Sequence, residues 1–415
     1  MKNLEELRDW LKNLPTHHDI VAVDSLPDPE FHIGGAKLVS FSTNNYLALA
    51  TTNRLKSAAR KGLDLFGVGN CESRLLGGDL TVYRELETRL AALKKKESAI
   101  LFATGYLTNL GVLSGLVRSS LIPRFYGFRP SKRFRYVYFS DEFNHISIRE
   151  GIRMSEADHI TYRHLDLNHL ESLLAKSTGD IKIIVTDGVF SQDGDIAPLP
   201  SILELAEKYD ATIYVDDAHG TGTLGATGAG ILEHFNCYSP RIIYMGTLSK
   251  AYGSIGGFVA TDEYITHILR LTCTAYGFTS APPPDQAFAM LDAIAMVHDE
   301  PERLLRLRSN QKRFVAGMTH IGYQLVCKDT AIVPVLIGDE QRTDLFSLEL
   351  RKRGFHVDAV KFPAVPKGKA RLRFQMNAGH TEVQIDRLMG TMAELARQLD
   401  EPLEGSTDQA LLLAS

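Results

Sequence analysis

Apolar residues in the first segment recur at helical spacing. Leu4, Leu7, Leu11 and Leu14 share one face, with Trp10 alongside. Steps of three and four residues predict a short amphipathic helix ending near Pro15. Lys37–Phe41 then has the look of a strand, leading into a polar and aromatic turn over Ser42–Leu49. From about residue 54 the period alternates. Helical faces appear over Tyr83–Lys96, after Gly105, and over Leu167–Leu174 and Leu199–Tyr209. Between them fall short apolar runs at Ser98–Ala103, Tyr136–Ser140, Ile181–Thr186, Thr212–Val215, Arg241–Met245 and Phe258–Thr261. Continuous apolar strands between helices predict a mainly parallel sheet covered on both faces, an α/β fold. After three prolines at 282–284, Asp285–His320 carries one long helical pattern. Ile332–Ile337, Leu345–Arg353 and Ala370–Gln375 then predict a smaller α+β domain. The expected organisation is an N-terminal arm (1–50), a large domain (51–284), a small C-terminal domain (285–400) and a loosely ordered tail (401–415).

Composition changes this picture little. Of 415 residues, 44% are hydrophobic and 23% charged, with a formal net charge of −4. That balance argues against a general nucleic-acid binder, which carries a basic excess. No apolar run reaches the length of a membrane span. The acidic start, MKNLEELRDW, is unlike a secretory signal, so the cytoplasm is the expected compartment. Cys71, Cys237, Cys273 and Cys327 show no CxxC spacing. They read as packing residues, with no metal site expected.

Chemistry concentrates at predicted strand ends, where ligands of open α/β sheets bind. Asp216, Asp217 and His219 follow one strand; an acid there is costly unless paired or bound to a ligand. Thr247 and Lys250 follow the next. Thr104, Gly105 and Tyr106 form a turn opening a helix, whose N–H groups suit a phosphate. Taken singly, each has a plain alternative: an ion pair or cap, a solvated lysine, an ordinary turn. Together they suit pyridoxal 5′-phosphate (PLP), which needs a lysine, an acid facing its ring nitrogen and a phosphate cup.

Seven motifs, in order, make the resemblance specific: STNNYLALA (42–50), ATGYLTN (103–109), SDEFNHISIREG (140–151), TDGVFSQDGDIAPL (186–199), YVDDAHGTGTLGATG (214–228), GTLSKAYGSIGGF (246–258) and KARLRFQMNAGHT (369–381). From about Leu38 to Leu399 the chain resembles the α-oxoamine synthases. These are fold-type I PLP enzymes that include 8-amino-7-oxononanoate synthase, 2-amino-3-ketobutyrate ligase and serine palmitoyltransferase. The resemblance implies that Lys250 forms the Schiff base, Asp216 pairs with the ring nitrogen and His219 with the ring hydroxyl. It implies that His145 stacks on the ring and contacts substrate, and that Gly105, Tyr106, Ser191 and Thr247 complete the cofactor site. Thr279 would reach the phosphate of a neighbouring subunit, so a homodimer with shared sites is expected. Arg373 would hold the amino acid's carboxylate, helped by Asn45.

The implied reaction is decarboxylative condensation of glycine, alanine or serine with an acyl thioester of coenzyme A or an acyl carrier protein. Lys250 would act as general base and His145 would polarise the thioester carbonyl. The 8-amino-7-oxononanoate-synthase-like reading leads, and a serine-palmitoyltransferase-like one follows. An aminotransferase or aldolase of the same fold is the alternative class. A non-catalytic subunit would be expected to lack Lys250. A dinucleotide site at Gly220, Gly222 and Gly225 is disfavoured by the acids crowding that turn.

The pattern departs from the family at Tyr83, where several members have His, and at Ala364, where biotin-pathway members often have Thr. No early Arg falls between His17 and His32. The stretch 118–136 interleaves Arg118, Arg124, Arg129, Lys132, Arg133 and Arg135 with Phe125, Tyr126, Phe128 and Phe134. It is either a solvated surface loop or a dock for the anionic groups of the acyl carrier or a membrane surface.

Overall fold

The structure, a computed structural model, describes residues 2–12, 22–26, 28–118, 127, 129 and 131–399. Most of the basic stretch after Arg118, and the tail beyond Leu399, lie outside the described residues. The strands are β1 (Glu30–Ile33), β2 (Ala36–Ser40), β3 (Ser98–Phe102), β4 (Tyr136–Asp141), β5 (Asp158–Tyr162), β6 (Ile181–Asp187), β7 (Ala211–Asp216), β8 (Ile242–Thr247), β9 (Gly257–Thr261), β10 (Ile332–Gly338), β11 (Phe355–His356), β12 (Asp358–Val360) and β13 (Ala370–Gln375).

The central sheet has seven strands in the order β3-β9-β8-β7-β6-β4-β5. Strands β4 to β8 pair parallel, while β9 pairs antiparallel with both β8 and β3. Its inner strands are apolar because helices bury both faces: every residue of β8 and β9 is buried. One large core runs from Phe41 and Leu86 through Ile213 and Tyr244 to Phe374 and Leu388. A second, smaller core, with Ile100, Val112, Tyr138 and Val259, fills the other face.

Two smaller sheets stand apart. Strands β10, β13 and β12 are antiparallel. Strands β1 and β2 form a hairpin, and β11 adds to it in parallel. That pairing fastens the chain near residue 40 to the chain near residue 355, a link no local pattern announces.

Three readings need correction. The long helical stretch is two helices, Pro284–Asp299 and Glu302–Ile321. Pro301, which has no N–H to donate and caps the second helix, breaks the run. Strand β5 went unpredicted because Asp158–Tyr162 lies at the sheet edge and is mostly polar and exposed. Of the cysteines, three are buried as expected, but Cys71 is exposed. No helix among the described residues is long and apolar enough to cross a membrane.

Candidate active site

Four parallel strands end at one place: β4 at Asp141, β6 at Asp187, β7 at Asp216 and β8 at Thr247. A cavity of about 380 Å³ opens there, lined by Gly105, Tyr106, His145, Ser191, Asp216, His219, Thr247 and Lys250 among others. Eight of the eleven predicted site residues are thus brought together. The volume lies within the ordinary range for small-molecule sites, roughly 300–1,000 Å³.

Each side chain is placed by its element. Asp216 closes β7, and its carboxylate accepts from Asn109 Nδ2 at 2.7 Å and from the Ala218 N–H at 3.0 Å. Asn109 stands one turn into the helix Gly105–Arg118, on the face of Gly105, and its own oxygen accepts from Tyr214 at 2.7 Å. Two donors keep Asp216 an acceptor. The turn beyond it is fixed by Asp217, which accepts from Tyr244 at 2.5 Å and Ile231 N at 2.8 Å. Gly220, Gly222 and Gly225 pack in that same turn against Asp217, Ala251 and Glu233, and no long helix starts there. The dinucleotide alternative therefore has no anion-binding helix.

Lys250 lies past β8. Burial lowers its pKa to about 8; Asp216 opposes the shift and Arg373 adds to it. His145 caps the helix Ile146–Ser155, its Nδ1 accepting from Ser147 N at 3.3 Å and lying 2.7 Å from Ser147 Oγ. Nδ1 as acceptor puts the ring proton on Nε2. Burial, with Lys250 and Arg149 nearby and Asp216 opposing, holds this histidine below its usual pKa and so neutral. His219 is driven further down, first by burial and then by Lys250 and Arg373. Its Nδ1 is 2.7 Å from the hydroxyl of Tyr46, a fully buried residue.

The start of the helix Gly105–Arg118 comes close to the sheet because both partners are small. A Cβ at Gly105 would meet Met245 and Thr247 at 3.2 Å, and one at Gly257 would meet Gly105 N at 2.7 Å. The helix N-terminus thereby faces the cavity beside Thr247, whose hydroxyl lies 2.8 Å from Ser249 Oγ. The first N–H groups of a helix lack intrahelical acceptors, which suits an anion.

Three predicted residues do not line this cavity. Arg373, on β13, lies just outside; its Nε donates to Ser191 O at 2.5 Å and it stands beside Tyr46. Thr279 sits next to the Ser73–Ser280 bridge, away from the cavity of its own chain. Asn45 is a correction. Its amide donates to Asp28 at 2.8 Å and accepts from Leu49 and Ala50 N–H, so it is spent on the local turn. The adjacent Asn44 instead accepts from Tyr46 at 3.2 Å, on the site side. Tyr83, the family departure, is buried and donates to Pro282 O at 2.6 Å.

The sequence profile of the family described as aminotransferase class I and II matches residues 36–392. 8-Amino-7-oxononanoate synthase 1 of Bacillus subtilis (strain 168) is 39% identical over 96% of this chain and 99% of its own. The chain belongs to this family, among its α-oxoamine synthases. 8-Amino-7-oxononanoate synthase of Petrotoga mobilis is 36% identical over 95% of the chain and 98% of its own. A serine palmitoyltransferase solved with PLP superposes with a TM-score of 0.86 at 28% identity, covering 96% of this chain and 98% of that one.

An α-oxoamine synthase binds PLP, and the residues here fit that group. A half-buried amine, a twice-bonded carboxylate and a helix N-terminus face one cavity. Asp187 adds an oxygen that is buried and without a partner among the described residues, as expected where a ligand belongs. Sequence reasoning missed Asn109, Asp187 and Tyr46. Asn109 had a signal: an amide in an apolar helix, four residues past the glycine turn.

Proposed function

We propose that this protein condenses L-alanine with a thioester of a seven-carbon chain bearing a terminal carboxylate, releasing CO2 and the carrier thiol. The carrying observation is Lys250, half-buried in the cavity with its pKa lowered to about 8 beside Asp216, in a chain 39% identical to an 8-amino-7-oxononanoate synthase. That product's carbon skeleton supports the substrate pair. Alanine less its carboxyl leaves the two-carbon amino end, and the seven-carbon acyl group supplies the ketone and the acid.

When bound, PLP supplies a protonated ring that takes up the electron pair left when the amino acid's α-proton departs. Lys250 holds the cofactor, then takes that proton as a neutral amine. Asp216 keeps the proton on the ring nitrogen. The N–H groups of Gly105 and Tyr106 would hold the phosphate, His219 would pair with the ring hydroxyl, and Ser191 and Thr247 would supply hydroxyls near the cofactor. Arg373 holds the substrate carboxylate. His145, neutral with its proton on Nε2, donates to the thioester oxygen as the new carbon–carbon bond forms.

Arg373→Lys removes the planar fork but keeps the charge. The expected result is a KM for the amino acid raised about 10- to 100-fold, the worth of a charge-assisted bond, with thioester KM little changed. Lys250 gives a pH prediction. Its attack on PLP needs the neutral amine, which is the minor form below about pH 8. Capture of PLP by the apoenzyme, followed by stopped-flow absorbance, should accelerate as pH rises through 8 and level off above it.

A visible-absorption titration of the holoenzyme with glycine, L-alanine and L-serine tests the donor. L-Alanine should shift the spectrum at the lowest concentration. A preference for L-serine would favour the second reading, which the serine palmitoyltransferase neighbours support.

A homodimer is part of the proposal. Thr279 lies outside its own cavity, its neighbour Phe278 is 78% exposed, and Val68 and Leu76, in the segment that the Ser73–Ser280 bridge ties to it, are exposed at 80% and 73%. A second copy covering that surface would bring Thr279 to the neighbouring phosphate. The basic residues near Arg118 belong to the proposal as a dock for the acyl carrier.

A further inference from the structure

His164 does not line the cavity, yet it joins two of its walls. Its Nδ1 lies 3.0 Å from Asp141 Oδ1, and its Nε2 lies 2.8 Å from Asp195 Oδ2. Phe143 stacks on the ring with centroids 4.4 Å apart, and Phe190 meets it edge-on at 4.5 Å. Asp141 also accepts the N–H groups of Phe143 and Leu165, at 2.8 and 3.0 Å. Both carboxylates are acceptors, so both ring nitrogens donate, which only the imidazolium does. Asp193 also lies close enough to complete a metal-sized cluster with His164 and Asp195, but an imidazolium offers a cation no lone pair.

The two anchors lead to different parts of the site. Asp141 ends β4 and starts the turn to His145. Asp195 belongs to the loop carrying Ser191, whose carbonyl accepts from Arg373 at 2.5 Å. In that loop Asp193 also pairs with Arg371, so both arginines of β13 lean on it.

The geometry points to His164 as a positioning residue: a doubly donating imidazolium that fastens the His145 loop to the Ser191 loop and so keeps Arg373 set to receive the amino acid's carboxylate. Only the identity of what Arg373 receives rests on the proposed function.

Burial opposes the charge, but the bonds to Asp141 and Asp195 raise the pKa of His164 to about 9. The charged groups facing it are Asp141 from β4, Asp195 and Asp193 from the loop, and Glu142, whose carboxylate accepts the His164 N–H. A histidine raised in this way contributes fully below its ordinary value of about 6.5. The contribution is lost as pH climbs through about 9. The neutral ring keeps one proton for Asp141, which is the more buried acid. The Nε2 lone pair then faces an Asp195 oxygen and repels it.

The test is holoenzyme affinity for L-alanine, by spectral titration from pH 7 to 10, in the native protein, Asp195→Asn and His164→Phe. In Asp195→Asn the amide donates to the Nε2 lone pair, so a neutral ring still joins the loops. Native affinity should fall about tenfold more than that of Asp195→Asn across this range. His164→Phe should bind weakly at every pH. Other titrating groups, including the amine of alanine, are common to the native protein and Asp195→Asn and cancel.

Identical pH dependence in those two proteins overturns the clamp, whether or not His164→Phe folds. Histidine-selective NMR of the apoenzyme reads the ring directly. A His164 signal titrating near 6.5 overturns the clamp even if condensation is confirmed. A signal titrating near 9 in a protein that binds no amino acid sustains the clamp and overturns the functional reading instead.

Discussion

Lys250→Ala lowers condensation turnover by about 10³-fold or more, the span of a positioned general base together with the loss of the covalent link to the cofactor. The cause is local. Lys250 is the amine at the end of β8, and its proton affinity is set between burial, Asp216 and Arg373. Among the described residues no other lysine lines the cavity. The fold should not suffer, because Asp216 keeps its bonds from Asn109 and Ala218 when the cation is gone. The measurement is the rate of thiol release, paired with intact mass after borohydride reduction. The native protein should retain a cofactor adduct and the variant none, with equal melting temperatures. Near-native turnover in the variant would falsify the role given to this lysine.

Glu87→Ala should cost about 3–5 kcal/mol of stability, the usual result of stripping one partner from a buried ionic network. Glu87 is 4% exposed and holds together three elements. It accepts from Arg74 at 2.5 Å, from Arg270 at 2.9 Å and from the Leu101 N–H of β3 at 2.8 Å. Arg74 is itself buried and packs against Tyr83 and Tyr276. Without Glu87, among the described residues Arg74 keeps Asp79 as its one carboxylate and Arg270 keeps none. Urea unfolding reads the effect as a lowered midpoint. Glu87→Gln should lose less, since the amide still accepts from Leu101. Equal loss in both variants would mean that charge alone matters there.

Much of this was legible in the chain because parallel strands buried on both faces leave continuous apolar runs. Ile181–Asp187, Ala211–Asp216 and Ile242–Thr247 are such runs, and the chemistry follows their C-terminal ends. Strand β5 left no such trace, because its edge position allows polar residues. The helix break at Pro301 was readable from the proline itself, but the helical period continues across it.

Site errors have one physical origin. Asn44 and Asn45 are neighbours of the same type, and only the fold decides which amide serves the turn and which faces Tyr46. The His164 bridge joins residues 141, 164 and 195, and the Glu87 network joins 74, 87 and 270. Contacts so far apart in sequence have no local pattern. The charged residues that form them look, along the chain, like ordinary solvated ones.

The most direct test is to incubate the holoenzyme with L-alanine and the thioester of the seven-carbon dicarboxylic acid, measuring free thiol and CO2 together. The account predicts one thiol and one CO2 per amino ketone formed, and neither without the amino acid. Amine transfer to a keto acid, with no thiol released, would contradict it and make the protein an aminotransferase of the same fold.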